Sequence, residues 1–176
     1  VSSPPPGLLP GHRLTADRLN EQFLIGRLVF FAARDAAQSM TSSSVGASSN
    51  ALSWDNVSVD VLGGWAIGNP TRFTPTIAGW YQLAGAASFN ASTGGTVRGV
   101  SWLVNGSLPV AATARDHATT AIANTSLTAM ARTLPVQLNG STDYVELAPF
   151  QDSGSALDTA TGSTRPYVAV FFAGPA

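Results

Sequence analysis

The chain contains no cysteine and no lysine. Without cysteine there are no disulfides, no thiol catalysis and no thiolate-held metals, whatever the compartment. All nine basic residues are arginines, scattered singly in a chain of net charge −1. No basic stripe exists to follow a phosphate backbone, so nucleic acid is not an expected partner. Charged residues make up 11%, against roughly 25% in an ordinary soluble domain. The polar surface must come from Ser, Thr, Asn and backbone, which suits a β-rich shell in an ordered assembly. Long apolar runs are also missing. Runs such as Leu28–Ala33 are too short to cross a bilayer, and residues 1–26 lack the basic start and apolar block of a signal peptide.

Chemistry-bearing residues are equally sparse. The two histidines, His12 and His117, are distant in sequence and cannot by themselves build a zinc site without cysteine. Asp116 and His117 are adjacent, so they point to different sides, and no Gly-x-Ser-x-Gly accompanies them. Gly94-Gly95 lacks the lysine and helix of a phosphate-binding loop. Asp143, Asp152 and Asp158 would form a calcium site only if one end of the fold drew them together. Glu146 and Asp152 would need to lie about 5–10 Å apart in a cleft to hydrolyse a glycoside, and Glu146 is expected to face outward. No catalytic residue, metal ligand or cofactor is expected, and the chain reads as a non-enzyme.

What the chain does have is 44% hydrophobic residues, enough for a core. Its centre is Arg72–Asn105, with two strand-like runs, Gly79–Phe89 and Val97–Asn105, joined by the turn-rich Asn90–Thr96. Tyr81, Leu83, Gly85, Ala87 and Phe89 share one face of the first run, and Val100, Trp102 and Val104 one face of the second. A period of two bounded by Gly and Asn predicts antiparallel sheet. Small residues beside large ones predict a strand pair packed on both faces in the middle of a sandwich.

Residues 1–14 form a Pro-rich arm favouring polyproline II. Thr15 is placed to cap a helix of about two turns that ends before Gly26, with Leu19 and Phe23 on one face. Arg27–Arg34 reads as a buried strand and Asp35–Asn50 as a long exposed loop. Leu52–Asp60 reads as a strand with Trp54 inward, Trp65–Ile67 as a short extended piece, and Leu108–Arg115 as an edge strand. Asp116–Asn124 reads as a loop and Ser126–Val136 as one strand. Asn139-Gly140 reads as a tight turn, Tyr144–Gln151 as a strand, Asp152–Thr164 as a loop and Pro166–Ala173 as the strand that closes the sheet. The expectation is all-β: a β-sandwich or jelly roll of about eight to ten strands over residues 27–176, preceded by an arm and one short helix at 1–26.

Phe73, Trp80, Tyr81, Trp102, Tyr144, Phe150, Tyr167 and Phe171 are expected in the core or a subunit interface. Trp65, in a Gly-flanked stretch, is the tryptophan expected to meet a ligand, with Asp152 and Asp158 as loop partners. Asn56, Asn90, Asn105, Asn124 and Asn139 each begin an Asn-x-Ser triplet. In a β-protein poor in other polar residues these read as turn residues rather than glycosylation sites.

The block Arg72-Phe73-Thr74-Pro75 followed by Ala78-Gly79-Trp80-Tyr81 resembles the jelly-roll head of the tumour necrosis factor and complement globular-head superfamily. Phe73, Gly79 and Tyr81 match its pattern. Tyr144-Val-Glu-Leu, Gln151-Asp-Ser-Gly-Ser and Val168-Ala-Val-Phe-Phe-Ala-Gly resemble its later strands. Trp54-Asp55, Asn69–Tyr81, Val104-Asn105-Gly106 and Val145–Gly154, with Pro10–Asn20 ahead of them, are similar to virion proteins of tailed bacteriophages from high-GC hosts. The resemblance implies a homotrimer with flat sheet faces around a threefold axis, at the virion surface and without enzymatic activity. In that setting Leu8, Leu9, Leu14, Leu19 and Phe23 would anchor a decoration protein on the major capsid protein. The rival within the resemblance is a minor tail or receptor-binding module that reads a host-surface glycan or protein.

Overall fold

The computed structural model describes residues 24–109 and 116–176, and leaves out the side chains of Asp116 and His117. The Pro-rich arm, nearly all of the expected helix, the anchoring residues Leu8, Leu9, Leu14, Leu19 and Phe23, and most of the expected edge strand at 108–115 lie outside the described residues.

Within them the chain forms eleven strands: β1 (Leu28–Ala33), β2 (Ser39–Met40), β3 (Asn56–Asp60), β4 (Ala78–Phe89), β5 (Val97–Val104), β6 (Asp116–Thr120), β7 (Leu127–Met130), β8 (Leu134–Asn139), β9 (Val145–Gln151), β10 (Leu157–Asp158) and β11 (Tyr167–Gly174). The large sheet runs β3-β1-β11-β4, and β7 and β8 share the far edge of β4. The small sheet runs β6-β5-β9, and β2 pairs β10. All pairings are antiparallel. The architecture is an all-β jelly-roll sandwich.

β4 and β5 fall where the period of two places them, yet they do not pair. β4 is flanked by β11 and by β7 with β8, and β5 by β6 and β9, so Asn90–Thr96 carries the chain from one sheet to the other. The two runs meet across the core instead. A Cβ at Gly85 would lie 3.0 Å from Leu147 and 3.4 Å from Trp102, so the small residue makes room for the opposite sheet. The expected packing on both faces holds for the second half of β4, whereas Trp80 and Gln82 in the first half are exposed.

Other expectations change for similar reasons. Ser126–Val136 is two strands, because Ala131 turns in to donate its N–H to Gly85 O and Arg132 O accepts the Trp102 indole N–H at 2.8 Å. Pro135 is accommodated because β8 is an edge strand. Asp116–Thr120 is a strand and not a loop, since the free edge of β5 pairs it from Val97 to Ser101. β11 occupies the middle of the large sheet, between β1 and β4. Trp65–Ile67 enters a turn. Asp152–Thr164 contains β10 and a single 3-10 turn, Gly162–Thr164.

The largest change concerns Asp35–Asn50. It supplies β2 and a 3-10 turn, and it lies against the outside of the small sheet. Ser43 bridges Gln151, and Gly46 donates its N–H to Ser101 Oγ at 3.2 Å. Asn50, almost fully buried, accepts hydrogen bonds from the Thr41 N–H and hydroxyl and donates to Thr41 O. Leu52 continues the cover by donating its N–H to Leu147 O. β3 begins at Asn56, and the buried Leu52 and Trp54 belong to its irregular approach.

Between the sheets a row of aromatic rings fills one end. Phe30 stacks on Phe73 at 4.6 Å, Phe73 meets Tyr81 edge-on at 6.4 Å, and Tyr81 meets Phe172 edge-on at 5.3 Å. Each is buried, and full burial of a side chain of this size stabilises by about 1.5–3 kcal/mol. The Tyr81 hydroxyl donates to Ile77 O at 2.6 Å, and burial raises its pKa well above the ordinary tyrosine value.

Candidate functional site

Two features stand out on the surface, a cleft at one end of the sandwich and an open sheet face. The cleft begins at the end of β3. The two Asp60 carboxylate oxygens accept the N–H groups of Gly64 at 2.9 Å and Trp65 at 3.1 Å, folding the chain back. Gly64 is required there, since a Cβ would lie 2.6 Å from the Phe73 ring. The Trp65 indole N–H donates to Pro70 O at 3.2 Å, which fixes the ring. The opposite wall is the turn after β8. Asn139 Oδ1 accepts the N–H groups of Ser141, Thr142 and Asp143, with Gly140 at φ +72°.

Arg72 lies between the walls. Its guanidinium carbon sits 4.1 Å from the centre of the Tyr144 ring, a cation–π contact, and its Nε is 3.5 Å from Glu146 Oε1. Glu146 keeps the outward side of β9, opposite the core residues Val145 and Leu147, but it is only 4% exposed. It is buried there because β9 is covered on both faces, and the Thr71 hydroxyl donates to Glu146 Oε1 at 2.6 Å. Glu146 Oε2 is buried with no hydrogen-bond partner among the described residues. The resulting cleft has a volume of about 420 Å³, lined by Trp65, Asn69, Arg72, Thr74, Thr142 and Tyr144 among others. It offers an aromatic surface, hydroxyl and amide groups, and one guanidinium.

Trp65 is therefore placed as expected, at a concave surface, but Asp152 and Asp158 do not join it. β9 separates Tyr144 from Asp152, a span of roughly 25 Å at about 3.3 Å per residue. Asp152 instead holds the start of β5. Its carboxylate accepts the N–H groups of Val97 at 2.7 Å and Thr96 at 2.8 Å and the Thr96 hydroxyl at 3.0 Å, with Arg98 at 3.5 Å. The Val97 N–H leads the groups that hold its carboxyl below the ordinary aspartate value, outweighing desolvation. Asp158 is exposed on β10. Asp143 lies at the Tyr144 end, where it accepts from Asn105 Nδ2 at 2.9 Å, so the three aspartates do not converge. Glu146 and Asp152 are also held apart, roughly 20 Å along β9.

The second feature is the outer face of the large sheet. The register sets Phe31 beside Ala169, Phe171 beside Gln82, and Tyr167 beside Ala86. Directly opposed residues in an antiparallel pair share a face, so Phe31, Trp80, Gln82, Ala84, Tyr167 and Phe171 lie on one surface. Phe31 and Tyr167 stack at 6.1 Å. Trp80 is 45% exposed, so it is not a core residue: its place on the strand turns it away from Tyr81, which takes the interior. No strand position on this face carries a charge. The eight expected aromatic positions thus divide. Phe73, Tyr81, Trp102 and Phe150 are core; Trp80, Tyr167 and Phe171 line the open face; and Tyr144 lines the cleft.

Sequence reasoning passed over Arg72 and Glu146 as a pair. Arg72 stood in the quoted block, but nothing in the order of residues brings it to position 146. Asn105 and Asn124 adopt positive φ, at 53° and 59°, and Asn139 orders its turn, which agrees with reading these three as turn residues, whereas Asn56 begins the strand β3.

The fold defines a class, the TNF-like jelly roll. A solved structure described as "Structure of Eiger TNF from S. frugiperda" superposes with a TM-score of 0.57, covering 84% of this chain and 92% of that one, at 7% identity. At that identity the likeness is one of fold. No protein-family model matches the chain, and no curated protein matches its sequence.

Proposed function

We propose that this protein is a non-enzymatic structural protein of a tailed-bacteriophage virion, assembling as a homotrimer and decorating the capsid. The observation that carries the self-association is the uncharged aromatic face of Phe31, Trp80, Tyr167 and Phe171. A contiguous apolar surface of this kind is the usual mark of an interface. The bacteriophage setting rests on the sequence resemblance described above, in which residues 1–26 contact the major capsid protein. The cleft around Trp65 keeps a second reading in view, a minor tail protein that recognises the host surface.

Light scattering on the full chain, the Phe171→Arg variant and a chain lacking residues 1–26 tests this reading. A trimer is expected for the first and third, of about 54 kDa for the full chain, three times its 18.1 kDa, and correspondingly lighter for the shortened one. Phe171→Arg is expected to dissociate while keeping its circular dichroism spectrum. Co-sedimentation with bare capsids is expected only when residues 1–26 are present. A full-length monomer overturns the assembly. A trimer that ignores capsids but stays on host cells moves the protein to the tail.

A further inference from the structure

We propose that the cleft between Trp65 and Tyr144 is a binding site for an acidic saccharide, a pyranose carrying a carboxylate. The inference does not depend on where in a particle the chain sits.

A volume of about 420 Å³ falls in the range of small-ligand sites, roughly 300–1,000 Å³. Its lining combines an indole with several short polar side chains, Asn69, Thr74, Ser141 and Thr142. An aromatic surface with hydroxyl and amide partners suits a sugar ring, which presents C–H groups on its faces and hydroxyls at its rim. The walls are set before any ligand arrives. Trp65 is tied to Pro70, its backbone to Asp60, and the facing turn is closed by Asn139, so little ordering cost attends binding.

Arg72 selects the charge. Its side chain is 41% exposed, and it donates no hydrogen bond to any described residue. The Tyr144 ring and the Glu146 carboxylate beside Nε hold it in place. A guanidinium fixed on one side, with its terminal N–H groups unclaimed by any described residue, matches a carboxylate in a two-pronged arrangement. Glu146 is buried beneath the Thr71 hydroxyl, and no acidic residue appears in the cleft lining. A ligand carboxylate thus meets the cation from the solvent side.

The test uses the full chain and follows its tryptophan fluorescence and NMR spectra during titration with glucuronic acid and, separately, glucose. An oligosaccharide array carrying both acidic and neutral glycans separates a free sugar from a sugar within a chain. Saturable changes with glucuronic acid, at least several-fold weaker with glucose, are expected. Trp65→Ala and Arg72→Gln are expected to lose binding at least tenfold while retaining the wild-type melting profile within a few degrees. Should Trp65→Ala unfold, Thr142→Trp, which fills the cleft from its exposed rim, must abolish binding in its place. Equal binding of glucose and glucuronic acid that Arg72→Gln leaves unchanged overturns the proposal. So does the absence of any response to both sugars and to every arrayed glycan.

Discussion

The outer faces of the two sheets are treated in opposite ways. The small sheet wears a cover made from its own chain: the segment from Ser43 to Leu52 bridges Gln151, packs Gly46 on Ser101 and returns to Leu147. Every residue of β9 is buried as a result, polar ones included. On the large sheet, Trp80, Phe171 and Tyr167 remain partly or largely exposed, with no segment of the described chain laid across their end of it. One face meets its hydrogen-bonding and packing needs internally. The other leaves aromatic area open to a second molecule, which separates a covered face from an open one on physical grounds.

Two tryptophans carry that contrast at its strongest. Trp102 is fully buried and its indole N–H is bonded, so Trp102→Ala should destabilise by about 3–5 kcal/mol in denaturant unfolding, the ordinary cost of emptying such a site. A cost under 1 kcal/mol would mean the sheets are not packed through it. The cover can be lifted next. A Cβ at Gly46 would clash with the Ser101 side chain and press on Ala148 O at 2.9 Å. Gly46→Val should therefore cost about 1–3 kcal/mol by overpacking and leave the association state unchanged. A change of oligomeric state in that variant would show that the covered face, and not the open one, is the interface.

Acid offers a gentler probe. Burial pushes the Asp55 carboxyl up, but the N–H groups of Asp35 and Ala36 and the Arg34 guanidinium more than offset this, so its value is lowered. Asp152 is lowered as well, chiefly by the Val97 N–H. A folded-state value below the unfolded one, about 3.9, gives stability that is complete above that pH and lost as pH falls through the lowered value. Melting temperature should hold from neutrality to about pH 4 and fall below it, and Asp152→Asn should flatten part of that fall. Both carboxylates are partly open to water, so the effect should be smaller than either substitution above. A flat profile down to pH 2 would count against these contacts. The smallest effect on folding is expected at the other tryptophan. Trp80→Ala should shift unfolding of the dissociated chain by no more than about 0.5 kcal/mol while weakening self-association in sedimentation. Unchanged association would remove Trp80 from the interface.

Much of the strand pattern was legible because its cause is local. Alternation from Tyr81 to Phe89 reports one buried face, and Asn139-Gly140 reports a turn that its own side chain and φ value produce. Pairing was not legible in the same way. Nothing in Asn90–Thr96 distinguishes a hairpin from a passage between sheets, because both need only polar turn residues. The polar run from Ser42 to Asn50 is largely exposed, as expected, yet Gly46 and Asn50 are buried, and a small residue is what close contact with Ser101 and Ala148 requires at Gly46. At the cleft, Trp65 was legible as an aromatic held between glycines. Arg72, Tyr144 and Glu146 were not, since two distant segments must meet before the guanidinium finds its ring and its carboxylate.

Composition and periodicity by themselves determined an all-β sandwich or jelly roll with Phe73, Tyr81, Trp102 and Phe150 available for its core. They act through local backbone preference and the need of each strand to bury one face. Only the tertiary structure decided which sheet is covered by its own chain, that Trp80, Tyr167 and Phe171 share an open face, and that Trp65 and Arg72 share a cleft. Those outcomes depend on which strand edges and loops compete for the same neighbours, a competition settled when the whole chain packs and carried by no short stretch of it.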